Sequence, residues 1–186
     1  MTPDPVRRAD GFTLLELLLA VSLGTLLAGF SVVGMQETLL EIRANAAARQ
    51  IRTQLLTARE QVLAERRAVE VQFIEPNEIR LVRIGLDGTQ QQLNHVTLEG
   101  GGRFMLVPEV PDTPEAWGNA TAIEFDNADR TLFLSDGTFA DAAGAPLSGT
   151  VFLAIPGRVT SARAVTIFGA TGRVRAFRWT GSIWER

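Results

Sequence analysis

The chain has 186 residues, 46% of them hydrophobic, and a formal net charge of −3 at pH 7; that length suits one domain plus an accessory segment. It contains no cysteine, no tyrosine, one histidine (His95), and arginine at all 18 basic positions. These absences exclude disulfides, thiolate nucleophiles, Schiff-base lysines and the phosphate-binding lysine of a P-loop, and a lone histidine without cysteine builds neither a catalytic triad nor a two-histidine zinc site. The composition therefore points away from an enzyme, with no cofactor and no metal expected.

Charge is unevenly spread. Residues 1–67 carry 8 arginines and 7 acids, residues 68–156 carry 4 and 13, and residues 157–186 carry 6 and 1. A basic tail on an acidic head is the contrast that marks a binding face.

Met1 to Gly11 is polar, with Arg7 and Arg8 side by side. Phe12 to Met35 then has one ionisable side chain, Glu16. As a helix it would run about 36 Å at 1.5 Å per residue, against a hydrocarbon core of about 30 Å. The two arginines before it put the N-terminus in the cytoplasm and the bulk of the chain outside. A secretory signal peptide fits poorly: the run exceeds the usual apolar region of about 7–15 residues, and Glu16 interrupts its start. A plain signal anchor fits better but leaves the acid unexplained, because a carboxylate in a membrane segment is costly and usually has a partner.

Glu37 to about Arg67 has no Pro or Gly. Ala47, Ile51, Leu55, Ala58 and Val62 recur at spacings of 4, 4, 3 and 4, which predicts one apolar stripe. Arg49, Arg52, Arg59, Glu60 and Arg66 fall mostly off it and read as a solvated face. One helix of more than 50 residues is expected, its first half apolar all round and its second amphipathic.

The period changes to two at Val69-Glu70-Val71-Gln72-Phe73, a strand. Further strands are expected over Ile79–Ile84, Leu93–Leu98, Arg103–Val107, Val151–Ile155, Arg163–Phe168 and Arg173–Trp179. Ala122–Phe125 and Thr131–Leu134 read as a hairpin around Asn127-Ala128-Asp129. Pro108–Asn119 and Asp141–Gly149 read as loops. Gly169-Ala170-Thr171-Gly172 is a hairpin turn signal. Asp126, Asp129 and Asp136 could be read as calcium ligands, but their turn context favours ordinary turn-making. His95 reads as a surface or packing residue. The fold class is α+β: a long N-terminal helix packed on an antiparallel β-sheet head.

Gly11-Phe12-Thr13-Leu14-Leu15-Glu16-Leu17 resembles the type III signal of type IV prepilins and type II secretion pseudopilins. The resemblance implies a leader of residues 1–11, a membrane and filament-core helix over 12–35, its amphipathic continuation over 36–67, and a β-rich head over 68–186. It implies cleavage after Gly11 and methylation of Phe12 by a membrane prepilin peptidase/methyltransferase, and it makes Glu16 the fifth residue of the mature chain. It further implies that Glu16 pairs with the Phe12 amine of a neighbouring subunit and sets the axial register of the fibre. A local role, with Glu16 capping its own helix, is compatible with this.

Phe133-Leu134-Ser135-Asp136-Gly137-Thr138, Gly149-Thr150-Val151-Phe152-Leu153, Arg163-Ala164-Val165-Thr166-Ile167 and Thr171-Gly172-Arg173-Val174-Arg175 look like the GspH/FimT branch, which implies a minor pilin or pseudopilin. In FimT-like minor pilins a Gly-Arg-x-Arg motif is implicated in DNA uptake, and Gly172-Arg173-Val174-Arg175 matches it. Arg173 and Arg175 would share one strand face. Arg178 would point the other way unless the strand twists, and Arg158 and Arg163 are further candidates. Such arginines grip phosphates without reading sequence; Trp179 or Trp184, if exposed, could stack a base. The plain alternative is that Gly172 makes the turn and the arginines solvate an edge.

The expected partners are the prepilin peptidase/methyltransferase, other pilins or pseudopilins, the bacterial inner membrane before assembly, and double-stranded DNA. A type II secretion pseudopilin is the alternative, and a signal-anchored periplasmic domain without a filament role is the second.

Overall fold

The structure is a computed structural model. It describes residues 13–186 apart from Asn127, with the side chains of residues 30–37 outside the description. The expected leader, residues 1–11, and Phe12 lie outside it too. One 52-residue helix, α1 (Leu14–Glu65), runs through two compact units, Met1–Leu39 and Leu40–Arg186.

In the first unit, Thr13 opens the helix. Its backbone N–H and hydroxyl donate to Glu16 Oε2 at 3.0 and 2.9 Å, and the Glu16 N–H donates to Thr13 Oγ1 at 3.3 Å. This reciprocal capping box satisfies two of the amides a helix start leaves free, so the local role expected of Glu16 is present. Leu14, Leu15, Leu17, Leu18, Leu19, Val21, Leu23, Leu26 and Leu27 all stand exposed. The hydroxyls of Ser22 and Thr25 turn back onto Leu19 O and Ser22 O, each at 2.9 Å. This stretch is apolar on every side and spends its own polar groups internally. Among the described residues, no helix is long and apolar enough to cross a membrane; the span expected over 12–35 runs into side chains outside the description.

In the second unit, Ala47, Ile51, Leu55, Ala58 and Val62 are all fully buried, so the predicted stripe is the one that packs. The helix ends at Arg66, whose positive φ of 54° breaks the α conformation while its N–H still donates to Val62 O at 2.8 Å. Two antiparallel sheets cover the stripe. The first has the order β3-β2-β1-β6-β7, from β1 (Val69–Ile74), β2 (Glu78–Ile84), β3 (Gln90–Thr97), β6 (Leu132–Phe133) and β7 (Phe139–Ala140). The second has the order β11-β10-β9-β8-β4, from β4 (Arg103–Phe104), β8 (Gly149–Ala154), β9 (Arg163–Phe168), β10 (Arg173–Trp179) and β11 (Trp184–Glu185), with β5 (Ile123–Glu124) also on β8.

Val69, Val71, Ile79 and Leu81 from one sheet and Val151, Leu153, Val165, Ile167 and Val174 from the other meet α1 in a single core. Phe133 and Phe125 close on Phe139, with ring centroids 4.9 and 5.4 Å away. Gln50 and Gln54 of α1 accept from Glu99 N–H and Asn94 Nδ2 at 2.9 and 2.7 Å, tying the helix to the β3 side.

The expected hairpin over 122–134 does not form. β5 pairs with β8, while β6 pairs with β1 and β7. The turn signal around Asp129 is local, whereas partner choice is set by which edges the helix leaves free. Pro108–Asn119 is a loop, as expected, and it straps the outer face of the second sheet: Val110 packs with Trp179 and Ala162, and Trp184 Nε1 donates to Pro111 O at 2.9 Å.

Glu70 is a buried acid on β1, 6% exposed. Arg130 holds it through Nε at 3.1 Å and through Nη2, and Gln72 Nε2 donates at 3.0 Å. Burial alone would raise its pKa, but the Arg130 hydrogen bonds, Gln72 and the Arg130 charge outweigh burial and hold it below the ordinary carboxylate value. A depressed folded-state pKa stabilises the fold above the unfolded value, about 4.3, and that stability is lost as pH falls through the folded value. Thermal melts of the parent and Glu70→Gln should therefore differ at pH 7 and converge only as pH falls through the lowered folded-state value. Arg130→Ala should cost about 2–4 kcal/mol, more than Glu70→Gln, because it strands the buried carboxylate.

Candidate functional site

The N-terminal candidate is the apolar half of α1 with its capping box. A carboxylate satisfied by its own helix start can sit at the edge of an apolar environment at reduced cost. Processing at Gly11 and methylation of Phe12 concern residues outside the described ones.

The C-terminal candidate is the β9–β10 hairpin. Its turn, Gly169–Thr171, leads into Gly172 at φ 60°, the left-handed region. Register pairs Arg173 with Phe168 and Arg175 with Thr166. Val174 and Ala176 pack toward the α1 core, while Phe177 packs with Phe152 and Ala164 on the other side. Arg173 and Arg175 thus share the outer face, as their alternation predicts. Arg173 is exposed, its Cζ 5.4 Å from the Phe168 ring centroid, and Phe168 in turn stacks on Trp117 at 6.1 Å and 22°.

The other candidates do not join this pair. Arg175 is held by the strap, its Nη1 donating to Glu115 Oε1 at 2.6 Å. Arg178 lies on the opposite face and donates from Nη2 to Glu185 Oε2 at 2.7 Å. Arg158 is exposed in the β8–β9 connection, just before the short helical turn Val159–Ser161, at the end of β9 away from the Gly172 turn. Arg163 is 1% exposed. Its Nε donates to Asn45 Oδ1 at 2.7 Å and its Nη1 to the carbonyls of Thr160 and Ala162 at 2.9 Å each. It shares the inward face of β9 with Val165 and Ile167 and cannot belong to an outer basic patch. Burial pushes its pKa down to about 10; Glu41 pulls it up and Arg178 adds to the lowering.

Trp179 is buried, and Trp184 is half-buried with its N–H committed to the strap, so neither is a free stacking platform. The aromatic pair beside Arg173 is Phe168 and Trp117. No local sequence signal places Trp117 and Glu115 there, because their contacts cross some 50–60 residues. The inward turn of Arg163 was readable from its period-two register with Val165 and Ile167. Asp136 accepts from Thr138 N–H at 2.9 Å, the turn role expected of it, and His95 Nε2 lies 2.8 Å from Glu78 Oε2 at the surface.

Residues 6–32 match the prokaryotic N-terminal methylation motif. No curated protein matches the chain. The fold is similar to that of the minor pseudopilin EpsH from the type II secretion system of Vibrio cholerae, with 16% identity, 73% of this chain and 97% of that chain covered, and a TM-score of 0.50. It is equally similar to the type IV minor pilin FimU of Pseudomonas aeruginosa, with 15% identity, 76% and 92% covered, and a TM-score of 0.50. The architecture is the pilin-like α+β fold, a helix packed on antiparallel sheets. The motif accounts for the N-terminal residues and the two likenesses for the fold.

Proposed function

We propose that this chain is a minor subunit of a type IV pilus. The apolar helix inserts in the inner membrane, the chain is cut after Gly11 and methylated on Phe12, and the helix then moves into the fibre core, where the subunit initiates or tips the fibre. The observation that carries this reading is the helix start. The exposed leucines from Leu14 to Leu27 need an apolar surrounding, and the capping box at Thr13 and Glu16 prepares the only acid in that stretch for it. After cleavage a free amine would stand one residue before Thr13, and Glu16 would pair with the corresponding amine of a neighbouring subunit.

Intact mass of the membrane-extracted protein tests the processing: loss of residues 1–11 plus one methyl group is expected, and an uncut chain sinks the reading. Glu16→Ala should still be cut but should be depleted from sheared fibres by about tenfold, losing both cap and register contact. Normal incorporation of that variant overturns the role given to Glu16.

The outer face of the β9–β10 hairpin supports binding of double-stranded DNA through its phosphates. Arg173 is free to reach them, and Arg175 can follow if it leaves Glu115. Arg173→Ala with Arg175→Ala should reduce the slope of log affinity against log salt by about 2, since each phosphate contact contributes about 0.9. Glu115→Gln should strengthen binding, and unchanged affinity and slope in the double variant ends the DNA reading. A pseudopilin of a type II secretion system is the second reading, supported by the equal likeness to EpsH and by the neutralisation of Arg175. Under it, the double arginine variant loses nothing in fibre incorporation and the parent binds no DNA.

A further inference from the structure

Arg163 does more than fill the inward face of β9. A cavity of about 300 Å³ opens beside it, lined by Asn45, Ala48 and Arg49 of α1, by Arg178 of β10 and by Arg186. Four arginines therefore line one concavity on the helix side of the second sheet. The charges set against them are few. Glu185 pairs with Arg178 through one nitrogen, and Glu41 acts on both Arg163 and Arg178 from α1. Arg49 and Arg186 make no ion pair among the described residues, and Arg163 Nη2 is buried without a protein partner. Buried donors in native proteins nearly always have one. Arginine presents planar N–H groups suited to oxyanions, and here three elements hold several of them together.

We propose that this cavity is a socket for the carboxylate of an acidic side chain presented by the neighbouring subunit of the fibre, an inference that rests on the fibre reading above. Its volume suits a side chain rather than a nucleic-acid backbone. The lining supplies the partner's chemistry: four arginines are set against Glu185 and Glu41, an excess of positive charge that suits a carboxylate. A neighbouring head that presents an acid there would be fixed in register, and one that presents none would be excluded.

Side-chain nitrogen NMR of arginine-labelled full chain in detergent micelles, at constant ionic strength, tests the socket with acetate as the probe. The Nε–H signals of Arg49, Arg163 and Arg178 should move together and saturably in the millimolar range, while that of Arg158 stays still. Arg49→Ala with Arg178→Ala should raise the half-saturation concentration about tenfold. No common saturable shift, or an equal response to chloride, overturns the socket. Inorganic phosphate saturating below acetate overturns the carboxylate and makes this a phosphate site.

The neighbour is tested in sheared fibres. Arg49→Glu with Arg178→Glu should lower incorporation about tenfold per folded molecule, with the glutamine pair intermediate; parent-like incorporation overturns the subunit as the source. A parent that never enters fibres overturns the fibre reading and this source together, whereas a missing acetate response overturns the socket alone.

Discussion

Gly172→Ala should destabilise the head by about 2–4 kcal/mol, measured by denaturant unfolding of the full chain in micelles. Two costs combine. Gly172 has φ 60°, where any L side chain is strained, and an added Cβ would lie 2.2 Å from Gly137 O and 2.9 Å from Arg59 Nε. Gly137 cannot yield easily, because its own N–H is tied to Leu134 O at 2.8 Å within the β6–β7 turn. The β9–β10 turn thus seats directly on the β6–β7 turn, where the two sheets meet beside α1. The glycine of Gly172-Arg173-Val174-Arg175 is required by the fold whatever the arginines bind, and loss of DNA binding in a Gly172 variant would not bear on DNA recognition. A parent-like midpoint for Gly172→Ala would mean that the two turns separate without penalty.

Arg163→Ala should cost about 3–5 kcal/mol, from the acceptors left unpaired and the hole left behind. The side chain is buried and ties Asn45 of α1 to the carbonyls of Thr160 and Ala162 before β9. Removing it strands three acceptors and opens a hole beneath the second sheet. Arg163→Lys should fall between, since one ammonium cannot occupy the positions of Nε and Nη1 together. DNA affinity per folded molecule should stay at the parent value for both variants. A selective loss of affinity at full stability would return Arg163 to the binding face from which its burial removes it.

The helix stripe was legible because it is a periodic, local property. Ala47, Ile51, Leu55, Ala58 and Val62 declare a buried face at spacings only a helix satisfies. The common face of Arg173 and Arg175 was legible for the same reason at period two. Partner choice among short strands was not. β5, β6, β7 and β11 have two residues each, too few for an alternation pattern, and the turn residues near Asp129 suggested a hairpin that free sheet edges on β1 and β8 pre-empted. The strap was invisible for another reason: Glu115 reaches Arg175 across sixty residues, and no local pattern encodes that distance.

By itself the sequence determined the handle: a glycine, an aromatic, an acid and an apolar run in one register, with a basic tail at the other end. Those features depend on covalent order and helical period alone. Tertiary structure decided which arginines remain available. It leaves Arg173 in solvent, locks Arg175 under the strap, turns Arg178 to the other face and buries Arg163 against α1. Exposure and pairing depend on which elements pack over a residue, and that is settled only when helix and sheets close on one core.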